Sequence, residues 1–236
     1  MIESMPRVSV VTPSYNQAPF LEATILSVLE QDYPNLEYIV IDGASTDGSV
    51  GILRRYDHRL TYWCSEADAG QTDAINKGFS KATGEIYAWL NSDDVYRPGA
   101  VAEAVSFLHD HPEVGMVYGD AVYIDEAGAP IGRFPAAQTD PSRLRRGYVH
   151  IPQQAAFFRA SPWRVVGPLD PSLYFAMDYD LWVRIAALSP IRYVKRPWVG
   201  FRIHEQAKTL AAADRYWPEM MRVHRREGGE CSPCSA

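Results

Sequence analysis

Cysteine is scarce in this chain, with three residues in 236. That is too few for a disulfide scaffold, and Cys64 lies in an apolar run that suits a small core residue. Cys231 and Cys234 form a lone CxxC in the tail GGECSPCSA. A structural zinc there would need two more ligands, none is near in sequence, and the segment reads as a disordered tail. No run approaches the ~18 apolar residues of a membrane span. The opening MIESMPRVSVV also lacks the charged-then-apolar layout of a signal peptide. A reducing, cytoplasmic setting is the expectation. Positive charge is not in excess either. Lys and Arg number 23 against 29 Asp and Glu, a net charge of −6, so nothing points to nucleic acid as a partner. Glycine-rich phosphate loops are missing too. GxGxxG does not follow the first strand and GxxxxGK[ST] occurs nowhere, which removes dinucleotide folds and P-loops. Any diphosphate bound here must be neutralised another way, and a divalent cation on Asp93 is the economical answer.

What is present is an alternation of short β-branched runs with helical periodicity. Arg7 to Thr12, Leu36 to Asp42, Leu60 to Ser65 and Ile86 to Leu90 read as strands. Between them lie a helix carrying Leu21, Ile25, Val28 and Leu29, a short one from Ser49 to Tyr56 capped by Ser45, Thr46 or Asp47, and one from Gln71 to Ala82. Pro98 sits where a helix takes its first residue, ahead of Val101, Val105 and Leu108 on one face. Such alternation predicts an α/β fold with a mostly parallel central sheet flanked by helices. Val114 to Tyr118 and Ala121 to Ile124 add strands with a turn at 125–128. From about Phe134 the sequence becomes irregular, until a helix at Asp178 to Leu188 and strands at Ile191 to Lys195 and Val199 to His204. No internal repeat or low-complexity linker divides the chain. It reads as one domain, with a nucleotide half at about 7–118, an acceptor and catalytic half at about 119–209, and a helix and tail over 210–236.

The strand ends are polar: Thr12-Pro13-Ser14-Tyr15-Asn16, then Asp42 to Ser49, Glu66 to Gly70, and Asn91-Ser92-Asp93-Asp94. Each alone is ordinary turn chemistry. Carboxylates at three neighbouring strand ends imply a positive charge between them, because ligands of open α/β sheets bind beyond those ends. In extended backbone Asn91 and Asp93 face together while Asp94 points elsewhere. Carboxylate and diphosphate oxygens suit Mg²⁺ or Mn²⁺, and an added imidazole favours Mn²⁺.

VSVVTPSYN, IVIDGASTDGS, SEADAGQTDAINKG, YAWLNSDD, MDYDLWVRI and FRIHEQAKT, in this order, resemble the blocks of the family 2 glycosyltransferases, across roughly Val8 to Thr209. The resemblance implies the GT-A fold, with a Rossmann-like sheet and a smaller mixed region on the acceptor side. It also implies an inverting transfer from a nucleoside-diphosphate sugar, most often a UDP-sugar, to a saccharide or lipid-linked acceptor in glycan synthesis. By the same resemblance Thr12, Pro13 and Tyr15 line the nucleoside and Asp42 bonds the base. Glu66, Asp68 and Asp73 flank nucleotide and sugar, and Asn91-Ser92-Asp93 stands where the family has DxD, with Asn91 able to bond a hydroxyl. Asp93 and His204 are the implied metal ligands, Arg202 and Lys208 cations for the leaving group, and Asp178 the base, in a Glu-Asp motif that reads Met177-Asp178 here.

Plainer readings stand beside these. Asp178 also suits a helix start, His204 a partly buried hydrogen-bonding histidine, and Lys77 a solvated helix lysine. Trp89, Trp163, Trp182 and Trp198 read as core rather than sugar platforms, with Trp163 the best exception because it follows the irregular stretch where an acceptor loop would lie. The Arg143 to Tyr148 run suits a solvated loop, an anionic acceptor or a membrane surface. The basic segment around Arg215 to Arg226, with Trp217 and two methionines, suits a membrane face or a homodimer interface, interrupted by Pro218. The peripheral setting would be the inner face of the membrane. The rival function is a module that holds nucleotide sugar without transferring it. A sugar nucleotidyltransferase lacks support, because no Arg- or Lys-bearing glycine loop follows the first strand.

Overall fold

Strand residues of this chain alternate between two apolar cores, one on each face of a single sheet. A computed structural model describes residues 5–147, 149–205, 208 and 213–227. Its strands are β1 (Val8–Ser14), β2 (Leu36–Asp42), β3 (Tyr62–Ser65), β4 (Ile86–Trp89), β5 (Val95–Tyr96), β6 (Met116–Ile124), β7 (Pro130–Arg133), β8 (Ala156–Arg159) and β9 (Ile191–Arg202). The helices are α1 (Ala18–Leu29), α2 (Ser49–Tyr56), α3 (Gln71–Lys81), α4 (Ala100–Asp110), α5 (Pro141–Arg145), α6 (Ala160–Val166), α7 (Met177–Ala186) and α8 (Ala213–Arg226). Val8, Val10, Tyr38, Val40, Ile86 and Ala88 point to the core covered by α1, α2 and α4. Their neighbours Val11, Ile39, Ile41, Tyr87 and Trp89 point to the core covered by α3 and α7. Burial on both faces is why these strands read as unbroken hydrophobic runs.

The strand order is β3-β2-β1-β4-β8-β6-β9-β5, with β7 added to β6. The β3-β2-β1-β4 half is parallel. Beyond it the sheet is mixed, since β8 runs antiparallel to both β4 and β6 while β6 and β9 are parallel. Two strands were expected at 114–124 and two more at 191–204, but each pair is one continuous strand. Gly119-Asp120 and Pro197 look like breaks in sequence. In space Asp120 pairs with Pro197 where the β6–β9 register shifts. Gly119 is needed there because a Cβ would meet the Trp198 ring at 2.5 Å.

Two helix starts also differ from expectation. Gly48 and Gly99, both left-handed, occupy the cap positions of α2 and α4, so Pro98 precedes α4 rather than opening it. Asp47 still serves, accepting from Ser49 N at 3.0 Å and from Ala18 N, at the start of α1, at 2.8 Å. Among the described residues no helix is long and apolar enough to cross a membrane.

α3 lies so close to β1 that a Cβ on Gly78 would stand 2.3 Å from Val11 Cγ1. Gly78→Ala is therefore expected to cost about 1–3 kcal/mol by overpacking, read as a lower urea midpoint. Gly51→Ala in α2, where nothing lies within 4 Å, is the control and should be neutral or stabilising.

Candidate active site

The polar strand ends and the irregular segment after β7 enclose one cleft of about 1140 Å³. Pro13, Tyr15, Asp68, Asn91, Ser92, Asp93 and Asp178 line it, whereas Thr12, Asp42, Arg202 and His204 are buried next to the lining residues and Glu66 and Asp73 lie outside the lining, Glu66 on the exposed surface. Thr12 is buried with its hydroxyl 3.1 Å from Tyr38 Oη. Asp42, expected to face a base, is fully buried and accepts bonds from Ser45 N, Ser45 Oγ and Ser65 Oγ, and Gly43 takes the cleft position beside it. The neighbouring Ser14 lines the cleft with a buried hydroxyl that finds no partner among the described residues. Tyr15, 65% exposed, offers its ring at the mouth.

Lys77 is not a free surface lysine. It pairs with Glu66 at 3.2 Å and Asp73 at 3.3 Å, tying the acidic segment to α3. Asp73 also accepts from Ala69 N at 3.0 Å, and that bond, with Lys77, holds its carboxyl below the usual range. Asp68 folds back on Gly70 N at 2.8 Å.

On the wall after β4, Asp93 Oδ2 lies 3.0 Å from His204 Nε2, bridging 111 positions of sequence. Asp94, expected to point elsewhere, lines the same cleft, because 91–94 is a turn (Asp94 N to Asn91 O, 3.1 Å) rather than extended backbone. It is 1% exposed and accepts Arg202 N at 2.8 Å, and burial together with the Asp93 charge pushes its carboxyl well above the usual range. Arg202, expected as a cation for the leaving group, has its guanidinium occupied. It donates to the carbonyls of Asp93 (2.8 Å), Asp125 (2.8 Å) and Glu126 (2.7 Å) and lies over the Phe20 ring. It braces the Asp93 backbone from behind.

The opposite wall begins at α7. Asp178 sits in the first helical turn, not at its cap, which is Ala176. Its Oδ1 accepts Tyr179 N at 2.7 Å, and burial raises its pKa from the ordinary carboxylate value against the pull of that bond and of Lys208. Asp180 is no substitute, because it is fully buried and held by Arg184 and Arg226. Lys208 bridges the walls. Its ammonium donates to Gln71 Oε1 at 2.6 Å and to Tyr174 O, and Gln71 Nε2 in turn reaches Asn91 Oδ1 at 2.8 Å. Burial lowers the Lys208 pKa to about 8 although Asp178 and Glu219 oppose the shift.

Gln71, Gln153, Tyr174, Phe175, Tyr216 and Trp217 also line the cleft and were not anticipated as site residues. Trp217 is 65% exposed. Trp163 packs against the core at Phe79, ring centroids 4.7 Å apart, as the core reading expected, and does not take the sugar-facing role that was its exception. The sequence signal that separates them is weak, since both lie in helices beside a proline, Pro162 and Pro218. α8 runs through Pro218 without ending, held by the buried Met220 and Val223. Arg143 to Arg145 belong to a short helix capped by Asp140, while Tyr148, Gln206, Ala207, Thr209 and the Cys231 and Cys234 tail lie outside the described residues.

Comparison with known proteins agrees on one lineage. Residues 9–164 match the sequence model described as "Glycosyl transferase family 2". An uncharacterized glycosyltransferase of Mycobacterium tuberculosis is 35% identical over 192 residues, covering 78% of this chain and 70% of that protein. Some curated relatives are much longer, and the chain spans 35% of the length of a Rickettsia felis glycosyltransferase to which it is 29% identical. Among solved structures, S. aureus TarS 1-349 in complex with UDP-GlcNAc superposes with a TM-score of 0.77 at 17% identity, covering 96% of this chain and 68% of that one. The mannosyltransferase PcManGT from Pyrobaculum calidifontis, in complex with GDP-Man and Mn²⁺, gives 0.71 at 24% identity, covering 97% and 66%. The architecture is therefore the GT-A fold. With the match spanning β1 to α6, the chain belongs to glycosyl transferase family 2.

Proposed function

We propose that the chain transfers a sugar, with inversion, from a nucleoside-diphosphate donor to a saccharide or lipid-linked acceptor in glycan synthesis. The observation that carries this reading is the pairing of Asp93 with His204 on one wall of a cleft whose other wall presents Asp178. UDP is the favoured nucleotide by family resemblance, and GDP is the alternative suggested by the mannosyltransferase neighbour. The nucleoside would lie over Pro13, Ser14 and Tyr15. Asp178 takes the proton of an acceptor hydroxyl as its oxygen forms the new bond to the anomeric carbon and the bond to the diphosphate breaks. Trp217 and Tyr174, each more than half exposed, offer flat faces to the acceptor ring. A lipid-linked acceptor would place the chain at the inner face of a membrane.

A divalent cation fits the donor set. Among the described residues no cluster of three or more acidic, His or Cys side chains forms a cage. Two protein ligands, Asp93 and His204, suit Mn²⁺ or Mg²⁺ that completes its shell with diphosphate oxygens. When bound it would stabilise the charge gathering on the leaving diphosphate. Accordingly, His204→Ala should raise the Mn²⁺ concentration for half-maximal activity about 10-fold. Titration curves that overlay the parent's would remove His204 as a ligand.

The test is a thermal-shift screen of UDP, GDP and their sugars with and without Mn²⁺, followed by donor turnover. A ligand at 100 times its Kd stabilises by about 2.7 kcal/mol. No nucleotide-dependent shift would overturn the reading. Binding with no turnover, even of donor to water, would leave the non-transferring module, the alternative that Asn91 and Met177 favour by their departure from the family motifs.

A further inference from the structure

α8 is fastened to the segment leading into Asp178 by more than packing. Met220 and Val223 bury its apolar side. Beside them, the Glu219 carboxylate accepts three consecutive backbone N–H groups, those of Tyr174 (3.0 Å), Phe175 (2.7 Å) and Ala176 (3.0 Å). Arg222 donates to Ser172 O at 2.7 Å and Arg226 to Asp180. These N–H groups stand immediately before α7, whose cap residue Ala176 has no side-chain acceptor. They belong to the cap residue and the two residues before it, so Glu219 holds the lead-in to the helix rather than the donors of its first turn, and the helix dipole favours a carboxylate at that end. Met177 cannot serve, being apolar with its sulfur engaged by the Thr72 hydroxyl. The oxygen comes instead from a different helix, 43 residues beyond Ala176.

We propose that Glu219 is a positioning residue for sugar transfer: its hold on the 174–176 backbone fixes the first turn of α7 and so aims the Asp178 carboxylate into the cleft. This rests on Asp178 being the base of the transferase reading. Only Met177 separates Ala176 from Asp178, so a slip of the 174–176 backbone carries the base with it. The same segment presents Tyr174 and Phe175 to the cleft, and Lys208 lies over both rings, 4.0 Å and 5.4 Å from their centroids. The nucleotide half, on β1, β2 and β4, makes none of these bonds. Loss of Glu219 should therefore damage chemistry and spare nucleotide binding, whereas a general structural role would weaken both.

The experiment compares the parent with Glu219→Ala, Glu219→Gln and Glu219→Asp. Peptide-level hydrogen exchange is read over 172–180 and over 8–14. UDP binding is read with Mn²⁺, and kcat and KM with whichever of UDP-GlcNAc or GDP-mannose the thermal screen retains. In Glu219→Ala, exchange over 172–180 should rise about tenfold or more, with 8–14 unchanged. Its kcat should fall at least about tenfold, with donor KM and UDP affinity within about twofold. Glu219→Asp, which keeps the charge, should recover more of kcat than Glu219→Gln. Parental kcat in the alanine variant overturns the proposal, as does UDP affinity that falls in step with kcat. Unchanged exchange over 172–180 overturns it whatever the activity. A parent that binds nucleotide but turns over no donor defeats the transferase reading and with it the catalytic role of Glu219, and exchange then reports separately whether the latch exists.

Discussion

Asp178→Asn is expected to lower sugar transfer by about 10²- to 10⁴-fold, the usual worth of a positioned general base, with UDP affinity unchanged. The substitution keeps the shape. An asparagine oxygen can still accept Tyr179 N, so the first turn of α7 should stay formed. What it removes is the basicity of the carboxylate proposed to take the acceptor's proton. Burial makes Asp178 better suited to that task, because a carboxyl raised above its ordinary range is a stronger base at neutral pH. Single-turnover rates with saturating donor, set beside calorimetric UDP binding, give the comparison. Near-parental turnover would exclude Asp178, and Asp180 could not replace it, since Arg184 and Arg226 hold both its oxygens. Attention would pass to Asp68, the cleft carboxylate on the nucleotide side.

Lys208→Met should cost about 10²- to 10³-fold in kcat, comparable to losing a preorganised group that meets developing charge. The ammonium is held between the walls by Gln71 and Tyr174, with Asp178 and Glu219 as its carboxylate neighbours and Tyr216 beside Asp178. Its pKa of about 8 gives the prediction a pH signature. The charged form is the competent one, so kcat/KM should fall as pH rises through about 8 and the lysine becomes neutral. A bound diphosphate favours the charged form, so the same limb in kcat should lie at higher pH. On the acid side, activity should be lost as Asp178 gains a proton, above the pH at which an ordinary carboxylate would. Lys208→Arg keeps its charge across this range and should lose the alkaline limb even if its rate is lower. A parental alkaline limb in Lys208→Met would assign that titration to another group.

The parallel half of the sheet was legible because its strands are buried on both faces. β2 occupies the expected residues, and β1 and β4 differ only at their ends. The mixed half was harder. Gly119 and Pro197 carry the local marks of strand breaks, and only their meeting across a register shift shows why each strand continues. Site residues divide along the same line. Motifs named Asp93, His204 and Asp178, but composition cannot reveal that Arg202 would be consumed by carbonyls or that Asp42 would be closed in by two serines. α8 was the least readable. Its charge pattern and Pro218 suggested an outer surface, whereas Glu219, Tyr216 and Trp217 turn it into a cleft wall through contacts with residues far off in sequence.

Gln71 bears on the unusual amide at position 91. It gives its nitrogen to Asn91 and its oxygen to Lys208, a double engagement open to any side-chain amide. An aspartate at 91 would set a full negative charge one amide away from that ammonium, and the pull on it would be split between the two walls. With asparagine, Gln71 works as an insulator: it joins the two walls mechanically while leaving the Lys208 charge to the side of Asp178, the proposed base.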